Sequence, residues 1–319
     1  FIDIPVDIQN AVIETEKLHN NFKPHKSKFC IDEDAVDNII ENLTKSKRPI
    51  IHIGHGTKTN NSFKDIINFS SNHRIPLMTT WNATGFVPYD NKYFIGRPGA
   101  FAERSANFNI QNCDFYLSIG SRLPFMITGY NKADFARNAF KVMVDIDKSE
   151  LIKNSDIMDI YVESESKKFV EELKKRMPKN HKFSNSWTES CKDLRKRYPL
   201  VQQHLVEQNN WVYSYYFIDK LSDLLDNNTN IITDMGLSFV GTHQGFKVKT
   251  GQNIVTNSGH APMGWGLPAA IGSYYADRKK KIICLTGEGG LMMNIQELAT
   301  IMHNKIPIKI FIYNNGGYQ

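Results

Sequence analysis

Two short stretches near the end of the sequence carry residue types that can do chemistry. One is Gly287-Glu288-Gly289-Gly290; the other is Asn314-Asn315, with Glu288 and Asn315 separated by 27 positions. Glycines let a backbone come close to a phosphate, and free N–H groups at a helix start attract an anion. A carboxylate facing an amide oxygen suits a hard cation, and Mg²⁺ takes about six oxygens shared among protein, water and phosphate. Glu288, the Asn315 side chain and a nearby backbone carbonyl, that of Gly317, would be the protein's share. Gly287, Gly289, Gly290 and Asn315 would border the phosphate-bearing ligand. The plain alternative is a strand-turn-helix with an acidic first residue and a polar turn further on. A lone Gly-acid-Gly does not decide between them. Its pairing with a double Asn at a second strand end favours the ligand.

That pairing requires particular elements. Lys281 to Thr286 reads as a strand, Asn294 to His303 as a helix and Ile306 to Tyr313 as a strand, so the motifs belong to one βαβ unit and lie at neighbouring C-terminal strand ends. Upstream, Ser214 to Leu225 is an amphipathic helix, Ile231 to Asp234 a strand ending in Met235-Gly236, and Pro262 to Tyr275 a helix rich in small residues. The first half alternates in the same way. A helix is expected over Asp32 to Leu43, a strand over Pro49 to Ile53 closing in Gly54-His55-Gly56, and a helix over Asn61 to Ser71. Strands follow at Ile75 to Thr80, Phe115 to Gly120 and Lys141 to Asp147. Residues 160–200 are rich in Lys, Glu and Ser with apolar residues at helical spacing, and read as helix, loop and helix around Pro178-Lys179-Asn180. The expected class is α/β, with two doubly wound parallel-sheet domains. Residues 1–27 read as a strand end plus connection, 28–160 as a Rossmann-like central domain, 161–205 as a helical linker and 206–319 as the second α/β domain.

The bulk numbers fit this plan. The 319 residues allow about two domains, and 41% hydrophobic with 23% charged is ordinary for α/β proteins. No apolar run reaches the ~18 residues that span a bilayer. The net charge of +6 comes from scattered Lys and Arg, with short runs at Lys174-Lys175-Arg176 and Lys279-Lys280-Lys281. These are solvated surface or a mild pull on anions; a nucleic-acid partner would want a basic stripe with interleaved aromatics. Cys30, Cys113, Cys191 and Cys284 show no paired spacing, which implies a reducing compartment, most simply the cytoplasm. The chain opens at Phe1 without Met and closes abruptly after Gly317-Tyr318-Gln319, so sequence is expected beyond both ends.

The segment from Leu285 to Leu298, Leu-Thr-Gly-Glu-Gly-Gly-Leu-Met-Met-Asn-Ile-Gln-Glu-Leu, resembles the thiamine-diphosphate signature of the acetolactate synthase family. That family carries Asp where this chain has Glu288. The resemblance extends to Gly264-Trp265-Gly266-Leu267-Pro268-Ala269-Ala270-Ile271-Gly272, the helix packed under the cofactor. By resemblance Met263 wedges between the two cofactor rings, and its backbone together with the Ala261 carbonyl bonds the aminopyrimidine; taken alone, Met263 is core filler. Asp234-Met235-Gly236 resembles the first diphosphate loop, which makes Gly236 and Ser238 cofactor residues and leaves Leu237 without a donor side chain. His243 and His260 are acid–base candidates set against packing or surface roles. In the first half, Phe1 to Gln9, Ile119-Gly120-Ser121-Arg122 and Val144-Asp145-Ile146-Asp147 are similar to the family's central domain. Gly54, Gly56, Arg122 and 144–147 fall at its FAD positions, while His55 and Phe101-Ala102 depart from them, so FAD stays open.

What the resemblance implies is a thiamine-diphosphate- and Mg²⁺-dependent enzyme. It would decarboxylate a 2-keto acid such as pyruvate and pass the two-carbon unit to a second carbonyl. A homo-oligomer, dimer or tetramer, is expected, as is a catalytic glutamate in an N-terminal domain outside this segment, which alone would be inactive. Thr80-Trp81-Asn82-Ala83 and Gly96-Arg97-Pro98-Gly99 look more like homologues linked to surface polysaccharides, so transfer to a keto-sugar is one alternative. A catalytically silent member of the family is another. A dinucleotide oxidoreductase is disfavoured, because Gly54-His55-Gly56 lacks the third glycine of its fingerprint.

Overall fold

The computed structural model describes residues 4–18, 31–207 and 210–317. Phe1–Cys30 separate from Ile31–Gln319 as their own unit. Within that first unit, Val6–Gln9 form a short helix, α1, within the stretch read as a strand end and connection; Pro5 sits just before it, a position where a missing N–H costs nothing. Residues 1–3 and 19–27 of the expected connection, and Cys30, lie outside the described residues.

The second unit begins with α2 (Glu33–Lys45), started by the Asp32 carboxylate accepting the Ala35 N–H at 3.3 Å. It continues through β1 (Pro49–Ile53), α3 (Ser62–His73), β2 (Leu77–Thr79), α4 (Arg104–Asn112), β3 (Phe115–Ile119), α5 (Phe125–Thr128), β4 (Phe140–Asp145), α6 (Lys148–Lys153) and β5 (Ile160–Glu163). These five strands form one parallel sheet in the order β2-β1-β3-β4-β5. Side chains alternate across a strand, so neighbouring residues enter opposite cores. Ile51, Ile53, Leu117, Ile119, Val142 and Val144 pack on one face, and Ile50, Tyr116 and Met143 on the other. Both faces are covered, as a parallel sheet requires.

Residues 161–205 are not simply a helical linker. Their start is β5, the edge strand of the first sheet. α7 (Ser166–Arg176) sends Phe169, Val170 and Leu173 into one core, and α8 (Asn185–Arg197) sends Trp187 and Cys191 into the other. Trp187 donates to the Pro49 carbonyl at 3.1 Å, which pins α8 to β1. The polar composition hid this because only one stripe of each helix is apolar.

After α9 (Gln203–Val206) come α10 (Ser214–Leu224), β6 (Thr229–Thr233), α11 (Leu237–Gly245), β7 (Asn253–Val255), α12 (Gly266–Ala276), β8 (Lys281–Gly287), α13 (Glu288–Met293), α14 (Glu297–His303) and β9 (Ile308–Tyr313). The second sheet is parallel, in the order β7-β6-β8-β9. Ile231, Ile283 and Leu285 face one core, and Ile232, Ile282 and Cys284 the other. The architecture is thus α/β with two parallel sheets and flanking helices. Cys113, Cys191 and Cys284 are buried and unpaired, with burial raising all three thiols and carrying Cys113 and Cys284 to about 12. Among the described residues no helix is long and apolar enough to cross a membrane.

Candidate functional site

Strand order places the chemistry. β8 lies between β6 and β9, with Leu285 level with Thr233 and Gly287 level with Tyr313. Three parallel strands therefore end side by side, and the loops after them, 234–236, 287–290 and 314–317, share one crest. They border a cleft of about 1130 Å³ lined also by Trp211, Phe217 and Met263.

Glu288 and the loop after β9 meet there. Glu288 Oε1 accepts the N–H of Gly317 at 2.9 Å and of Asn315 at 3.1 Å. With its NH₂ turned toward Glu288, the Asn315 amide also donates to that oxygen at 2.9 Å and to the Gly317 carbonyl at 2.7 Å. Its own backbone N–H, then those of Gly317, Asn315 and Gly316, hold the Glu288 carboxyl below the usual carboxylate range. The extra methylene relative to Asp spans the gap between the two strand tips. Glu288, the Asn315 amide and the Gly317 carbonyl thus converge within hydrogen-bond distance, oxygen-bearing groups of the kind that suit Mg²⁺. Among the described residues no three His, Cys, Asp or Glu side chains cluster to hold a metal, so a cation here would draw on amide and backbone oxygens.

The glycines divide by role. Gly236 has φ +72° with open space where a Cβ would stand, and Gly287 is nearly as open, so each leaves the cleft accessible. Gly290 is different: a Cβ there would sit 2.2 Å from Asp234 Oδ2, which makes its small size a packing requirement. Gly289 lines the cleft beside them.

Ser238 lines the cleft, but its side chain does not serve it. The hydroxyl donates to the Met235 carbonyl at 3.0 Å and the residue is 1% exposed. What remains for a ligand is backbone: the N–H groups of Leu237 and Ser238, in the first turn of α11, have no acceptor among the described residues. Met263 is 49% exposed in the cleft. Ala261, at φ +50° and exposed, is not among the residues lining it, and neither is His260.

His243 is no acid–base group of this cleft. It is 1% exposed, its Nδ1 lies 3.1 Å from Thr84 Oγ1, and its ring stacks on Trp81. Burial first, then the nearby Arg97 charge, push its pKa down to about 3. At the first sheet, Gly54 and Gly56 interlock with the backbone of Gly120, accounting for both glycines by packing. Arg122 is paired with Glu150, and the strand over 144–147 ends at Asp145.

One residue central to the cleft carried no role in the motif reading. Asp234, 1% exposed, accepts the Gly264 N–H at 3.1 Å on each oxygen and the Thr286 hydroxyl at 2.8 Å. It ties the tips of β6 and β8 to the turn that carries Met263. The available signal was an acid at a strand end followed by a glycine.

Comparison with known proteins places both halves of the chain in one family. The family described as thiamine pyrophosphate enzyme, central domain, matches residues 36–173, and its C-terminal TPP binding domain matches residues 234–319. The acetolactate synthase isozyme 2 large subunit of Escherichia coli (strain K12) is 27% identical over 317 residues, covering 99% of this chain and 55% of that protein. The probable acetolactate synthase large subunit of Methanococcus aeolicus is 30% identical over 342 residues, covering 98% and 55%. The acetolactate synthase large subunit of Cyanidium caldarium is 32% identical over 325 residues, covering 99% and 54%. The chain spans about half the length of the curated relatives it matches.

Proposed function

This chain belongs to the thiamine pyrophosphate enzyme family, among its acetolactate synthase-like members, and we propose that it serves the decarboxylation of a 2-keto acid such as pyruvate and transfer of the two-carbon unit to a second carbonyl. The observation that carries the reading is the contact between the Glu288 carboxylate and the Asn315–Gly317 loop at the rim of the cleft. Thiamine diphosphate, when bound, supplies the nucleophilic carbon and the electron sink.

The chain's own residues bind and orient. Glu288, the Asn315 side chain and the Gly317 carbonyl would hold Mg²⁺, with the Asn315 amide turning its oxygen rather than its NH₂ toward the cation. The N–H groups of Leu237 and Ser238 would face the diphosphate, with Gly236, Gly287 and Gly289 keeping side chains out of its way. Met263 would pack against the cofactor rings, while Ala261, outside the cleft lining, is given no contact here. In this reading the group that activates the pyrimidine comes from outside this chain. A homo-oligomer completes the site in this reading, supported by the exposure of Met292, Met293 and Met302.

Titration calorimetry with thiamine diphosphate and Mg²⁺ tests the proposal. Saturable, Mg²⁺-dependent binding to the protein, lost in Glu288→Ala, is expected, with CO₂ release from pyruvate only once the group that activates the pyrimidine is supplied. A protein that binds no cofactor, or binds it equally without Glu288, is not this enzyme.

A further inference from the structure

A second cavity, of about 530 Å³, lies between the start of α4, the end of α8 and the end of α11. Its walls carry Arg104, Ser105, Arg195, Arg197, Tyr198 and Gln244. It shares only Tyr213 with the cleft at the crest of the second sheet.

The charges around it do not cancel. Glu103 is engaged by Arg195, at 3.0 Å, and by the buried Arg97. Asp219 is engaged by Lys247 at 2.9 Å. Arg104 and Arg197 form no ion pair among the described residues. Arg104 is instead held against the rings of Phe108 and Tyr198, which fixes its guanidinium without neutralising it.

Hydrogen-bonding groups at the same place are also unspent. The N–H groups of Arg104 and Ser105, in the first turn of the nine-residue α4, have no acceptor among the described residues, and no side chain caps that turn. Ser105 is 1% exposed, lines the cavity and has no partner for its hydroxyl. Asn109, one turn along, and Thr188 on α8 are likewise buried and unpartnered but lie outside the cavity wall, which leaves Ser105 as the buried group that borders it. Buried polar groups are nearly always paired, so such a group beside a cavity marks a missing partner.

We propose that this cavity is a second ligand site of the protein, taking a small organic phosphate. Two unneutralised guanidiniums, a helix N-terminus and a buried hydroxyl together form an acceptor for a dianionic phosphate. The cavity is larger than a bare phosphate needs and falls within the ~300–1,000 Å³ of small-molecule sites. Tyr198, Leu200 and Tyr213 supply an apolar wall for the organic part. Nothing in this argument uses the cofactor cleft, so it stands or falls separately from the reaction proposed above.

The test is calorimetric titration of the protein with phenyl phosphate and with inorganic phosphate, with thiamine diphosphate and Mg²⁺ held saturating. Phenyl phosphate is expected to bind saturably, one per chain, and more tightly than inorganic phosphate. Arg104→Ala combined with Arg197→Ala should weaken it tenfold or more. Both side chains are exposed, so the variant folds, and an unchanged melting temperature verifies this. Ser105→Ala should weaken it several-fold, while Asn315→Ala, which alters only the cofactor cleft, should leave it unchanged. Absence of saturation, indifference to loss of both arginines, or loss in Asn315→Ala would each overturn the proposal.

Discussion

The Asp234 carboxylate accepts the Thr286 hydroxyl at 2.8 Å in a site where Asp234 is 1% exposed. A buried carboxylate persists only when its lone pairs are occupied. Here they are occupied by groups from two other segments, Thr286 on β8 and the Gly264 N–H ahead of α12. This bond network fixes the turn that carries Met263 relative to the two strand tips.

Asp234→Ala should accordingly lower stability by about 1–3 kcal/mol for each buried donor it orphans. Chemical denaturation measures the loss. Cofactor affinity should fall as well, since the turn carrying Met263 loses its anchor.

Gly290→Ala tests the same junction by steric means. Its methyl would stand 2.2 Å from Asp234 Oδ2, where nothing can yield except the carboxylate itself. A cost of about 1–3 kcal/mol is expected, against a much smaller effect for Gly287→Ala, whose nearest neighbour would be 3.9 Å away. Comparing the two melting curves separates packing glycines from cleft glycines.

Met263→Ala should weaken thiamine diphosphate binding while leaving stability within about 0.5 kcal/mol, as expected for a side chain outside the core. The residue is 49% exposed, so little packing is lost in the free protein. A large drop in melting temperature would assign it to the core instead.

Acid should destabilise the protein through His243. Burial holds its pKa at about 3 in the folded chain, well under its ordinary value. The unfolded chain therefore binds the extra proton first, and stability falls as pH drops through the range between about 6.5 and 3. The slope from one such group reaches at most ~1.4 kcal/mol per pH unit. His52, held at about 4 by burial, adds to it over a narrower range. His243→Gln should flatten the acid limb of a stability–pH profile without abolishing it.

Glu288 gives the opposite kind of group. Its carboxyl is held low by backbone N–H groups, so its contacts with the 315–317 loop are complete above the ordinary carboxylate range and are lost as pH falls through the depressed value. The amide resonance of Gly317 should report this titration, and Glu288→Gln should remove it.

Much of this was legible beforehand. Gly-Glu-Gly-Gly after an apolar run, and a double Asn after the next such run, placed both motifs on strand ends, because period and punctuation are local properties. What stayed hidden was pairing. Ser238 offers a hydroxyl on paper, but the turn of α11 directs it back to Met235. His243 reads as a free imidazole until Trp81 and Thr84, far away in sequence, cover it. The strand at 160–163 went unseen because only β4 beside it makes those residues an edge.

The amino-acid sequence by itself determined the α/β class, most of the strands and helices of the second half, though neither α11 nor the short edge strand β7, and the identity of the groups at the tips of β6, β8 and β9, since these follow from hydrophobic period and residue chemistry. Only the tertiary structure decided that β8 stands between β6 and β9. That neighbour relation brings Glu288 to Asn315 and Asp234 to Thr286. It depends on which faces can be buried together, a property of the whole sheet rather than of any segment.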